Sequence, residues 1–407
     1  MPLSAARRGL ALLVITASSA YIAAPVSAQT AETRAAEIER QQAEKAQNVA
    51  PYQRSWAERQ LLSIEEAGGF NVARGFFVTF GDIKQGSSVA LGPAYGKTLN
   101  NGAIVIAKAA YSIREFKLVQ LFAQAPPLAG GRLIINGRAR WQDAPELAVY
   151  PLGPSSPKTR SNYSEEKTEV SGQALLSPMP FIRLGAGTAF ETFDTAGASN
   201  GRHPSVDEFF TSTEMPGINA DPEYLHSFVT AGIDSRTGVG FSRTGTLLQA
   251  TWHDYRQQND GPFTFRRLDG IARQLIPILH GNWVIDLSVR ASTTDVDAGQ
   301  EVPFFLMPDL GGAGELRGFS NYRFRDRHSI IGTAEYRWYV QEYVEMAIFY
   351  DAGKVVSRRG DLDFTGLKSD VGIGLRFHSP RATVLRFEVA RSNEGLRLIF
   401  GFEAAIK

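Results

Sequence analysis

From about Phe70 onward, apolar and polar residues alternate with a period of two, the pattern of strands that face an apolar medium on one side only. The clearest stretch lies near the end of the chain. Ile330, Gly332, Ala334, Tyr336, Trp338 and Val340 form one largely apolar face, with Thr333, Glu335 and Arg337 on the other. Val344, Met346, Ile348, Tyr350 and Ala352 then stand opposite Glu345 and Asp351. Val371, Ile373, Leu375 and Phe377 alternate with Asp370, Gly372, Gly374 and Arg376. Leu385, Phe387 and Val389 face away from Arg386 and Glu388, and Leu396, Leu398, Phe400 and Phe402 face away from Arg397 and Glu403. Successive segments therefore carry ionisable groups on one common face.

A soluble β-sandwich also alternates, so period two does not settle the medium by itself. Length does more. The segments commonly run 10 to 14 residues, against about 5 or 6 in soluble sheets, and match the roughly 9 to 11 residues of a tilted membrane-crossing strand. Their apolar faces end in aromatics such as Tyr336 and Trp338, as interfacial girdles do. The fold class this predicts is all-β, a 16-stranded antiparallel transmembrane β-barrel. Its strands are expected at 72–83, 87–97, 102–112, 115–125, 131–141, 162–176, 179–193, 224–235, 243–256, 261–276, 281–293, 327–340, 343–356, 367–378, 382–391 and 395–405. The long connections (142–161, 194–223, 294–326 and 357–366) all follow odd-numbered strands, while the turns at Ser177-Pro178, Gln341-Glu342 and Ser379-Pro380 follow even ones. That parity fits periplasmic termini, short periplasmic turns and long extracellular loops.

The N-terminus reads differently. Arg7 and Arg8, an apolar stretch from Leu10 to about Ile22 and the small residues Val26-Ser27-Ala28 predict a signal peptide over 1–28 and export to the outer membrane of a bacterial cell. Nothing around the paired arginines supports a twin-arginine signal. Residues 29–69, rich in Ala, Glu, Arg and Gln, are expected to form a periplasmic helical tail or plug ahead of a barrel domain over 70–407.

Composition narrows the chemistry. With 43 Lys plus Arg against 42 Asp plus Glu, the formal net charge of +1 gives no electrostatic reason to bind nucleic acid. Zero Cys excludes disulfides, thiolate metal sites and cysteine nucleophiles. The six histidines (203, 226, 253, 280, 328 and 378) show no metal-ligand spacing, and are read as loop or interfacial residues. Asp361 and Asp363 read as solvated turn acids, and no nucleophile elbow or phosphate loop occurs. His226, Ser227 and Asp234 share residue types with a hydrolase site and nothing more. No enzyme, cofactor or metal is expected.

The residues from Val302 to Phe319, VPFFLMPDLGGAGELRGF, resemble the sixth extracellular loop of the bacterial surface antigen superfamily of outer-membrane barrels, which includes BamA, TamA and the two-partner-secretion transporters. The tip motif is Leu316, Arg317, Gly318 and Phe319, after Leu310-Gly311-Gly312. Gly332 to Trp338, Phe349 to Val355 and residues 231–252 are also similar to family segments. The resemblance implies that the loop folds inward and that Arg317 meets acids on the lumen wall. Asp351 is the first expected partner and Glu335 the second, since alternation places both on the polar face. Guanidinium favours bidentate carboxylates, and Gly318 would let the backbone approach closely.

The resemblance also implies a role in outer-membrane biogenesis or transport, with outer-membrane lipids and unfolded outer-membrane or secreted proteins as partners. One departure weakens the polypeptide-handling reading. Family members carry polypeptide-transport-associated (POTRA) domains before the barrel, and residues 29–69 are too few for even one. A passive or loop-gated channel and a structural surface barrel therefore remain alternatives.

Overall fold

A computed structural model describes residues 74–402 apart from 199–201, 238–241, 280–281, 342 and 379–382. The expected signal peptide and helical tail lie outside the described residues. The barrel wall is one 16-stranded sheet in which every neighbouring pair is antiparallel and consecutive along the wall. Its strands are β1 (Arg74–Gly81), β2 (Ala90–Thr98), β3 (Ile104–Ser112), β4 (Lys117–Gln124), β5 (Leu133–Val149), β6 (Ser161–Leu176), β7 (Ile182–Gly197) and β8 (Glu223–Asp234). They continue with β9 (Gly245–Gln257), β10 (Phe265–Ile278), β11 (Trp283–Asp295), β14 (His328–Gln341), β15 (Val344–Val356), β16 (Lys368–His378), β17 (Thr383–Ser392) and β18 (Gly395–Phe402). Two short strands, β12 (Asp309–Leu310) and β13 (Phe324–Arg325), pair with each other inside the connection from β11 to β14.

The alternation sorts as a barrel in a membrane requires. Outward positions are exposed and apolar, as at Leu248, Leu287, Val289, Ile348, Tyr350, Val371 and Ile373. Inward positions on β11, β14, β15 and β17 bury Asp286, Glu335, Glu345, Asp351 and Glu388. On the outer face Trp283 stacks on Tyr336 at 5.4 Å and on Trp338 at 6.2 Å, close to the turns that end β10 and β14. Aromatic rings with an apolar body and a polar edge suit that interfacial level.

Two details depart from the expected boundaries. The fifth strand does not stop at 141 but runs to Val149, past a bulge between Ala144 and Leu147. Pro145 sits at the bulge, where its missing N–H costs no ladder bond. The connection at 235–244, after an even strand, is also longer than the other even ones.

The end of the lumen beneath the long connections holds a large buried apolar cluster. Inward residues Phe116, Leu147, Tyr163, Phe193, Tyr224, Tyr255 and Phe265 meet Val206, Met215, Phe304, Phe305 and Met307 from the long connections in one apolar cluster. Val206 opens a single helical turn, α1 (Val206–Phe209). Tyr163 meets Phe304 edge-on at 4.8 Å, and Tyr255 stacks on Phe265 at 4.5 Å.

Candidate functional site

The connection from β11 to β14 enters the lumen and is fastened there from several sides. Its turn is set by Gly311 and Gly312, at φ 116° and 110°, where any side chain is strained. A Cβ at Gly311 would also lie 2.3 Å from the Ser320 carbonyl. Beyond the turn, Leu316 and Phe319 bury themselves with Leu310, Phe324, Ile331 and Val355, and Phe319 meets Phe324 edge-on at 5.2 Å. Leu316 adopts φ 44°, unfavourable for a side chain with a Cβ, and complete burial offsets that strain.

This packing aims Arg317 at the wall. Its Nε and Nη2 donate to the two oxygens of Asp351 at 2.7 and 2.9 Å, and its Nη1 donates to Glu335 at 2.6 Å and to Glu388 at 3.4 Å. The guanidinium also lies 3.4 Å from the centre of the Phe349 ring. Burial alone would lower its proton affinity. Hydrogen bonding to Asp351 and the charges of Glu335, Asp351 and Glu388 instead carry it above the ordinary arginine value. Gly318 lies flat against the wall. A Cβ there would sit 2.6 Å from the Cβ of Asp370, and its carbonyl accepts from the Ser392 hydroxyl at 2.9 Å.

Arg317 is one member of a larger lattice. Arg376 grips both oxygens of Glu335 at 2.9 Å and reaches Glu388 at 2.8 Å. Arg337 grips both oxygens of Glu345 at 3.0 and 2.8 Å and reaches Asp286 at 3.1 Å, which Arg273 grips in turn at 2.8 and 2.5 Å. The lattice ties the loop tip to β10, β11, β14, β15, β16 and β17. Fully buried charges are tolerable only when paired and hydrogen-bonded in this way.

Residues 227–403 match the Omp85 superfamily domain. The match falls in the C-terminal part of the barrel and covers less than half of the chain. Among solved structures, this barrel is similar to BamA from Haemophilus ducreyi lacking POTRA domains 1–3, at 14% identity and a TM-score of 0.59, over 87% of this chain and 79% of that one. It is also similar to CdiB from Escherichia coli, at 12% identity and a TM-score of 0.54, over 80% of this chain and 61% of that one. The chain thus spans less than two thirds of CdiB. At these identities the likeness is one of fold. No sequence among the curated proteins matches.

Several loop anchors were not anticipated. Arg323 donates to Glu394 at 3.0 Å and to Ser156 at 2.6 and 2.8 Å. Gln85 donates to the Gly311 carbonyl at 2.5 Å, and Arg386 to that of Ala313 at 3.0 Å. These contacts join regions far apart in sequence, and nothing local marks them.

The histidine reading needs correction. His226 and His253, far apart in the chain, meet on the inner wall at 2.9 Å between Nε2 and Nδ1, because β8 and β9 are paired neighbours. Glu191 flanks one ring at 3.3 Å and Asp269 the other at 3.2 Å. His226 and Ser227 are consecutive in β8 and therefore point to opposite faces, so they cannot join in one hydrolase site. Asp234 is occupied by Arg236 at 2.8 and 2.9 Å. His280 lies outside the described residues.

Proposed function

We propose that this Omp85 barrel acts in outer-membrane biogenesis or polypeptide transport at the seam between its first and last strands, with the lumen held shut by the Arg317 loop. The observation that carries the reading is the seam itself. β1 and β18 adjoin, yet among the described residues no hydrogen-bonded ladder joins them, whereas all other neighbours in the wall are laddered.

The wall just after the first strand is also thin. β4 has 8 residues and β2 and β3 have 9 each, against 16 in β6 and β7. Eight residues at about 3.3 Å each, tilted by roughly 40°, rise only about 20 Å, short of the roughly 25 Å apolar band of such barrels. Pro93 in β2 cannot donate to a ladder, and the β2–β3 register lacks pairs at Gly92 and Pro93. Unpaired edges in a thinned bilayer offer a template to an incoming strand. The aromatic packing and the charge lattice favour this reading over a passive pore.

The role is tested in cells. Depleting the protein should lower the abundance of particular outer-membrane or secreted proteins, and wild type should restore them. A variant with β1 and β18 joined by an engineered disulfide should restore them only under reducing conditions; the chain has no other Cys to confuse the result. Full rescue by the locked seam would overturn the proposal.

A further inference from the structure

The outer face of β10, β11, β14 and β15 carries a row of short side chains. Ala272 pairs with Val289, Val289 with Gly332, and Gly332 with Ala352, so these positions lie side by side around the wall. Taller neighbours flank the row, and the result is a trough of about 550 Å³ bordered by Leu248, Leu287, Ile330 and Tyr350. Phe364 and Leu367 from the connection after β15 overhang it.

That connection bends outward over the membrane face. Arg359 donates through Nε to the Thr293 hydroxyl at 3.0 Å, and Lys354 donates to Asp363 at 2.5 Å and to the Thr365 carbonyl at 3.2 Å. Thr293 and Lys354 alternate onto the outer face with Val289 and Ala352. Phe364 is left 77% exposed, an arrangement that suits hydrocarbon and not water. In the same connection Arg358 and Arg359 are exposed, with Asp361 3.6 Å from Arg358.

We infer that this trough is a binding site for a phosphorylated glycolipid of the outer leaflet. One acyl chain lies along Ala272, Val289, Gly332 and Ala352 beneath Phe364, and a phosphate meets Arg358 and Arg359. An apolar trough ending in cations at the headgroup level matches an anionic lipid in both halves. The inference rests on the outer-membrane placement and is independent of what the seam does.

The test is native mass spectrometry of the full-length protein released from detergent after incubation with lipopolysaccharide, with dephosphorylated lipopolysaccharide, or with phosphatidylethanolamine. A retained adduct is expected with the phosphorylated glycolipid. Arg358→Glu with Arg359→Glu should weaken it roughly tenfold or more, in line with the contribution of two interfacial cations. Gly332→Leu should fill the trough and displace the lipid while the barrel still folds, since a Cβ at Gly332 meets nothing closer than 3.9 Å. Heat-modifiable gel mobility verifies folding of each variant. Equal retention of all three lipids would overturn the assignment, as would an adduct that survives both variants.

Discussion

Arg317 reaches from the tip of an inserted loop to Asp351 on β15, placing Nε and Nη2 at 2.7 and 2.9 Å from the two carboxylate oxygens. Both residues are almost wholly removed from solvent. The contact makes a connection of the barrel part of its wall.

Removing one partner leaves a buried charge without its counterion. Arg317→Ala or Asp351→Ala is expected to weaken loop docking by about 3–5 kcal/mol. The exchange Arg317→Asp with Asp351→Arg should recover part of the loss. Thermal unfolding of the purified barrel measures this; equal losses in the exchange and in each single reversal would exclude direct coupling.

Gly318→Ala should cost about 1–3 kcal/mol, because the new methyl would lie 2.6 Å from the Asp370 Cβ. Gly332→Ala, in open space on the outer face, serves as the comparison and should be nearly silent. Faster proteolysis of the loop in the first variant and not in the second is the expected pattern.

The loop acid Glu315 gives the docked loop a pH dependence. Burial pushes its carboxyl up to about 7, against the pull of Arg290 and with the charges of Asp309, Asp269 and Asp351 adding to the rise. Its docked form therefore holds a proton more tightly than a solvated glutamate, so docking strengthens as pH falls through 7 toward the ordinary value. Glu315→Gln, which mimics the neutral form, should unfold at a higher temperature than wild type at pH 8. That gap should narrow as pH falls below 7 and close only near the ordinary glutamate value of 4.5. A gap that widens on acidification would contradict the assignment.

The plug depends on large side chains from distant connections. Phe304→Ala is expected to destabilise the barrel by about 3–5 kcal/mol and Met215→Ala by about 2–5 kcal/mol, since both side chains are fully buried. Chemical denaturation in detergent would show this as a lower midpoint with an unchanged slope.

The wall was legible in the sequence because a membrane on one side and a charged lumen on the other impose period two on each strand. Parity alone puts Glu335 and Asp351 on the inner face. It does not say which inner acids a given arginine meets, and Glu388, two strands along the wall from Asp351, enters through the breadth of the Arg317 guanidinium. The plug was not read, since Met215 and Phe304 lie in connections that have no periodicity. The apolar run Val302 to Leu306 was the available signal, being too apolar for a solvated loop. His226 and His253 become neighbours only through the β8–β9 register. The fifth strand was expected to stop at 141, and Pro145 instead marks a bulge within it.

The most direct test of a sealed lumen is single-channel conductance of the purified protein in planar bilayers, comparing wild type with a variant lacking residues 302–323. The account predicts that wild type is silent and that the deletion opens an ion path. Steady ohmic conductance in the wild type would contradict it.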